Sequence, residues 1–307
     1  MELYQLRSLA AVAQAGHLTR AAEGLHLSQP AVSAHVRVLE EELGVKLFER
    51  SSNGMLPTHA GRELVQHAER VLAAAAAMRN AARALKGEVE GRLRVGTVID
   101  PDTLRLGAFL SRTTERYPGI DLELHHEVSG EAMDAVRSGE LDASFYFGAL
   151  SQPEIRGVRL AEMQYRVVAP AAWAARVRDA DWKALAALPW VLTLPSSTLR
   201  GIARALFRAN GVAPERVVEA DNEYVISTLV ASGLGLSLMR EELAREKEAA
   251  GEVVVLDAAG PSVPLWFIHR ADRTDDPLII ALTGALREAW GLTAARDARE
   301  PAEAAVT

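Results

Sequence analysis

The apolar pattern divides this chain into four zones. In the first zone Leu3, Leu6, Leu9 and Ala13 fall at helical spacing and predict one face of a helix that Gly16 ends; a second helix opens at Leu18 and carries Ala21, Ala22 and Leu25. A third begins in the stretch LSQPAVSAHVRVLEEELGVKLFER, residues 27–50. Ser28 suits its N-cap because a hydroxyl there accepts from a first-turn amide, and Pro30 sits where a missing amide proton costs nothing. At about 100° per residue, Val32, Val36, Leu39 and Leu43 share a narrow arc that predicts the buried face. Gln29, Pro30, Ser33, Ala34 and Arg37 then lie off that arc, a side that is small and polar toward its N-terminal end. After it, KLFER and MLP flank the turn-rich SSNG, which predicts a hairpin with Arg50 in it.

The second zone, 58–86, is one long helix. Leu64, Ala68, Val71, Ala75, Met78, Ala82 and Leu85 recur at steps of four and three, a heptad seam along a rod of about 43 Å. This predicts dimerisation through an alanine-rich contact; packing of the same stripe on the chain's own core is the alternative. Residues 87–92 (GEVEGR) read as a hinge. From 93 to 292 strands and helices alternate, as in α/β layers: RLRVGTV, IDLELHHEV and LDASFYF belong to a first lobe of about 93–164 and 266–292, and a second lobe spans about 165–265. The Ala-, Glu- and Arg-rich residues 293–307 read as a loose tail.

Charge complicates a nucleic-acid reading. The net charge is -7, yet residues 1–92 hold 11 Lys and Arg against 10 Asp and Glu, while the rest holds 23 against 31. The acidity therefore belongs to the C-terminal part, and the balance of +1 in the first permits phosphate binding without advertising it. Two short helices joined by a tight turn, the second with a slim polar start, match a helix-turn-helix, in which Gln29 suits an adenine edge, Ser33 a base or phosphate and Arg37 a phosphate or guanine. A capped amphipathic helix in a small bundle would show the same periodicity. No cysteine is present, which excludes thiol chemistry, disulfides and zinc fingers. With no apolar run long enough for a membrane helix and no leader pattern at the N-terminus, the chain is expected in the cytoplasm, with no membrane partner.

The stretch AAVAQAGHLTRAAEGLHLSQPAVSAHVRVLEEELGVKLFER followed by PTHAG resembles the N-terminal signature of LysR-type transcriptional regulators. The match lies in Ala21-Ala22, SQPAVS at 28–33, Leu39-Glu40, Leu43-Gly44, LFER at 47–50 and T-x-AG at 58–61. The C-terminal part resembles the family's effector domain through GRLRVG, RYPGIDLEL, SGELDASF and LVASGLGLSLM. The resemblance implies an α/β protein built from a winged helix-turn-helix (1–57), a linker helix (58–86) and a two-lobed effector domain (93–292) similar to type 2 periplasmic binding proteins. It implies that Gln29, Pro30, Ser33, Ala34 and Arg37 face DNA, with Arg50 and Thr58 near phosphates. It also implies a homodimer or homotetramer on a pseudo-palindromic operator, RNA polymerase as a further partner, and a small-molecule effector between the lobes. His17, Ala34 and the neutral SSNG depart from common family residues and predict a lean set of DNA contacts.

Family positions nominate Thr97, Val98, Ile99, Asp100, Ser129, Phe147, Gly148, Leu194, Ser196, Ser197 and Thr198 around the effector, and a small organic carboxylate is the expected class. Hydroxyls and free amides at 196–198 would suit an anion, although they could simply cap a helix. Asp100, where the family often has Ser or Thr, would repel an acid or pair with an amine, or could itself cap a helix near Asp102. Enzyme chemistry has no visible seat: GLGLSL lacks the third glycine of a dinucleotide loop, and no P-loop, nucleophile elbow or HExxH motif occurs. His125 and His126 are adjacent on a strand and face opposite ways, which rules out joint ligation of one metal in regular geometry. No cofactor is expected. The rival of another class is a small-molecule binding protein whose N-terminal helices serve assembly.

Overall fold

Helix α1 (Leu3–Ala15) turns Leu6, Leu9 and Val12 inward, with Gln5 and Ser8 buried beside them. Leu3 in its first turn is exposed and Ala13 half-buried, so the inward stripe runs through Val12 rather than through those two; the helix is covered on that side by its neighbours and open at its start. The structure is a computed structural model that describes residues 1–51, 54–84, 89–126, 129–256 and 260–292, in two units, Met1–Glu88 and Val89–Thr307. Seam residue Leu85, the residues 87 and 88 of the hinge, wing residues 52 and 53 and the tail 293–307 lie outside the described residues.

In the first unit α2 (Leu18–Gly24) and α3 (Gln29–Leu43) pack on α1 around Ala21, Ala22, Val32, Val36 and Leu39. Ser28 accepts from the Ala31 amide at 3.3 Å and opens α3; Gly44, at φ 71°, closes it in a conformation that a Cβ disfavours. Leu43, expected on the buried face, is exposed, because the last turn runs beyond the cluster that covers Leu39. Strands β1 (Phe48–Ser51) and β2 (Gly54–Pro57) pair antiparallel, Phe48 opposite Pro57. Helix α4 (His59–Ala84) follows, and Gly61 lets it lie close: a Cβ there would stand 2.0 Å from the Leu47 carbonyl oxygen.

The second unit begins with β3 (Gly91–Thr97), so the last two residues assigned to the hinge are already strand. Helix α5 (Leu106–Arg116), β4 (Ile120–His126), α6 (Ser129–Ser138) and β5 (Ala143–Phe147) complete a parallel β4-β3-β5 layer. Then β6 (Ile155–Pro170) leaves the first lobe, followed by α7 (Ala174–Val177), α8 (Trp182–Ala186), β7 (Pro189–Leu192), α9 (Thr198–Ala209), β8 (Arg216–Glu219), α10 (Glu223–Ala231), β9 (Ser237–Arg240), α11 (Glu241–Ala249) and β10 (Val253–Leu256). Strand β11 (Ser262–Arg270) returns, and α12 (Pro277–Trp290) closes the first lobe, Asp276 accepting from the Leu278 amide.

One long strand makes the two lobes. Up to Gln164, β6 pairs with β11, which also pairs with β5; from Tyr165 onward it pairs with β9, and from Val167 also with β10. The return crossing is complete at Ser262 rather than at 266, because Ser262 is already in register with Gln164. In the first lobe Phe109, Phe145 and Phe267 meet edge to face, with ring centres 5.1–6.3 Å apart. In the second lobe Trp190 meets Phe207 at 4.7 Å and donates its indole N–H to the Leu185 carbonyl. These aromatic contacts fix the strand ends that line the space between lobes.

Candidate nucleic-acid interface and ligand cleft

The first turn of α3 is bare. Gln29, Pro30 and Arg37 are exposed, and Ser33 and Ala34 are half-covered on the same side. Nothing bulky stands at that end, and Ser28 already satisfies one of its amides. Arg37 touches Glu41 only at 3.9 Å with both side chains about 70% exposed, a pair weak enough to be exchanged for a phosphate. On the inner side His35 is held by the Ser8 hydroxyl at 2.8 Å and by the ring of Tyr4 at 4.7 Å, which fixes the rotation of α3 against α1.

The base of the hairpin is organised by Glu40, a residue that sequence reasoning did not single out. One carboxylate oxygen accepts from the Leu47 amide at 2.8 Å and the Phe48 amide at 3.4 Å, and the other from Lys46 Nζ at 2.6 Å. Burial pushes its carboxyl up, but the bonds from Lys46, Leu47 and Phe48 outweigh this and hold it below the ordinary value. Thr58 caps α4: its hydroxyl donates to the Lys46 carbonyl at 2.7 Å and accepts from the Gly61 amide at 2.9 Å. It is thus engaged inside the domain, at the foot of the hairpin that carries Arg50. The Met55 amide donates to the Gly16 carbonyl at 2.7 Å and ties the hairpin to the α1–α2 turn.

The seam of α4 divides. Ala68 is buried and Leu64 partly buried against the cluster formed by α1, α2 and α3, whereas Val71 is exposed, Met78 is 78% exposed and Ala75 is half-buried. Ala82 is exposed. The N-terminal part of the stripe therefore serves the chain's own core, and the rest faces outward.

In the second unit a cleft of about 880 Å³ opens between the lobes. Thr97, Val98, Ile99 and Asp100 line it from the end of β3, and Leu124, His125 and His126 from the end of β4. The second lobe supplies Asp221, the start of α10, Arg240 and α11. Asp100 caps the turn with one oxygen, which accepts from the Thr103 amide at 2.9 Å, and its other oxygen accepts from Arg240 across the cleft at 2.6 Å. Arg240 also bonds Glu223 at 2.7 Å and the Thr103 hydroxyl, and its side chain is only 7% exposed. Burial alone would lower its affinity for the proton, but Glu223 and Asp100 more than reverse this.

The other nominated positions sit elsewhere. Phe147 is buried in the first-lobe core. Gly130, next to Ser129, lies so close to the second lobe that a Cβ there would come within 2.2 Å of the Ser196 carbonyl oxygen. Gly148 packs toward Thr198, which hydrogen-bonds the Tyr146 hydroxyl; burial raises that hydroxyl's pKa and the bond lowers it in part. Ser197 caps α9 by accepting from the Leu199 amide at 3.3 Å, and Leu194 is half-buried. At this end the lobes touch through backbone, while at the Thr97–Asp100 end Arg240 bridges them beside the cleft. Arg240, Glu223 and Tyr224 escaped sequence reasoning; the capping Asn in DNEYVIS and an arginine ending the apolar LSLMR were the only signals. Among the described residues no group of His, Asp and Glu is arranged to hold a metal, and no helix is long and apolar enough to cross a membrane.

Known proteins share this architecture. Residues 3–62 match the family model described as bacterial regulatory helix-turn-helix protein, lysR family, and residues 86–291 match the LysR substrate binding domain. The chain is 34% identical over 239 residues to a probable hydrogen peroxide-inducible genes activator of Streptomyces viridosporus, covering 77% of each. It is 33% identical over 270 residues to the Hca operon transcriptional activator HcaR of Escherichia coli, 86% of this chain and 90% of that one. Full-length OxyR from Pseudomonas aeruginosa superposes with a TM-score of 0.70 at 27% identity, over 94% of this chain and 95% of the other. With both family models matched in order and relatives aligned through both units, the chain belongs to the LysR family of DNA-binding transcriptional regulators.

Proposed function

We propose that the protein is a ligand-responsive regulator that binds a pseudo-palindromic operator as a homodimer or homotetramer and acts on transcription with RNA polymerase in the cytoplasm. The observation that carries DNA reading is the bare, capped start of α3. Gln29 and Ser33 there are free to meet base edges, Pro30 and Ala34 keep the approach slim, and Arg37 reaches a phosphate or guanine. Arg50 in the hairpin and the neighbourhood of Thr58 approach the backbone. Dimerisation rests on the outward part of α4, Val71, Ala75 and Met78, and a two-fold pair of reading heads requires a two-fold operator.

The effector sits between the lobes, and closure on it alters the spacing of the paired heads. Thr97 to Asp100 support this seat because they line the open cleft. A small carboxylate would find its amides at the start of α9, around Ser196 to Thr198, yet Ser197 and Thr198 are already bonded there. Any response of this chain to an oxidant has to proceed without a thiol, since the sequence includes no cysteine.

Salt-titrated binding to duplex DNA tests the reading. A specific complex is expected, with Gln29→Ala and Ser33→Ala each relaxing base preference by about 1–3 kcal/mol per lost contact. Two variants that bind the operator like the parent would remove α3 from the role of reader, and no specific complex at any ionic strength would leave only the small-molecule binding protein.

A further inference from the structure

The space between the lobes is strongly one-sided in charge. Asp100 and Asp102 face it from the first lobe, and Asp221, Glu223, Glu242 and Glu246 from the second, against one arginine, Arg240, and the histidines His125 and His126. Arg240 is consumed by Asp100 and Glu223. Asp102, Asp221, Glu242 and Glu246 have no ion-pair partner among the described residues. Beneath them lies a second, independent sign of an unmet demand. Tyr165 is fully buried, its hydroxyl has no hydrogen-bond partner among the described residues, and it stands opposite Arg240 in the β6–β9 register, so both side chains point to the same side of the sheet. The charges of Glu223, Arg240 and Glu242 act on that hydroxyl.

Between the acids the lining is apolar, with Ile99, Leu106, Leu124 and Leu243, and the Tyr224 ring stands exposed beside them. We infer that the cleft takes a linear organic dication, amine or guanidinium groups joined by an aliphatic stem, whose ends are held by carboxylates of opposite lobes. The inference rests on the interlobe seat proposed above and names its ligand class. The methylenes lie along the apolar lining, and a cationic end can rest on the Tyr224 face. Closure follows from the same charges: acids of both lobes meet around one arginine, and a second cation offsets the repulsion among the carboxylates that Arg240 leaves unpaired. An acid of the same length meets the opposite field.

Calorimetric titration of the full-length protein at constant ionic strength decides this, with 1,4-diaminobutane as probe, succinate as the dianion of equal length, and magnesium chloride. Saturable binding of the diamine is expected, weakened about tenfold in Glu242→Gln/Glu246→Gln and abolished in Ile99→Trp, which puts an indole on the apolar lining that the stem would occupy. Tryptophan fluorescence confirms that both variants remain folded, since all five tryptophans lie in the second unit. No heat from the diamine, or magnesium binding as tightly as the diamine, overturns the proposal. Succinate binding that Ile99→Trp abolishes overturns the cation class but keeps the interlobe seat. Diamine binding untouched by Ile99→Trp places the ligand elsewhere, and the interlobe seat then loses its support.

Discussion

Glu40 shows how one side chain sets the shape of a whole interface. Its carboxylate replaces neighbours for two amides where α3 has ended and β1 begins, and Glu40→Ala leaves both without it. Amide exchange at Leu47 and Phe48 should then accelerate by the equivalent of about 1–3 kcal/mol. Its pH dependence has a definite sign: the folded carboxyl titrates below its ordinary 4.5, so the stabilisation is complete above pH 4.5 and is lost as pH falls through the lowered folded value. Glu40→Gln should flatten that acid limb in the same exchange measurement. Arg240 is the counterpart in the second unit. Removing it by Arg240→Met strands the mostly buried Glu223 and should cost roughly 2–4 kcal/mol, whereas Asp100→Asn, on a side chain 44% exposed, should cost about 1 or less. Urea unfolding followed by tryptophan emission separates the two; equal losses would mean that Glu223 does not depend on Arg240.

Elements are placed here by close backbone approaches as much as by apolar stripes. Helix α4 can start where it does only because residue 61 has no side chain: Gly61→Ala drives a Cβ into the Leu47 carbonyl and must shift the helix or the hairpin. A loss on the order of 1–3 kcal/mol is expected in thermal unfolding followed by circular dichroism, together with a weaker DNA complex, because α4, β1 and the cap at Thr58 move as one. Unchanged stability would show that the contact relaxes freely. The same helix changes role along its length, from core at Leu64 and Ala68 to open surface at Met78.

For the whole molecule, the consequences concern partners. Met78 is exposed and outside the core clusters, so Met78→Glu should leave each domain's stability within about 0.5 kcal/mol while shifting the proposed dimer to dissociation at about tenfold higher concentration in sedimentation equilibrium. A dimer of unaltered strength would move the interface away from this part of α4. The distribution of charge, +1 in residues 1–92 and -8 beyond, puts the acidity where a cationic ligand is proposed and leaves the DNA-reading part near neutral. Few phosphate contacts predict a shallow dependence of operator affinity on salt, with a slope of roughly 0.9 per phosphate neutralised.

Periodicity, caps and local signature residues were sufficient to determine the order of elements, the helix-turn-helix, the long helix and the alternation of the effector domain. Such features depend on neighbours three or four apart, and the start of α2 at Leu18 and the Ser28 cap fall where spacing puts them. Which apolar residues are covered was only partly legible: Leu43 and the far half of the α4 stripe have the right spacing but run past what packs on them. The cleft was less legible still. Thr97 to Asp100 were within reach of the sequence because they end a strand, but Arg240 and Glu223 lie far along the chain from Asp100 and meet it only because β6 carries the fold into a second lobe. Local sequence sets the elements by short-range hydrogen bonding and burial; the charge field of the cleft is a sum over residues from two lobes, and only tertiary structure brings its terms together.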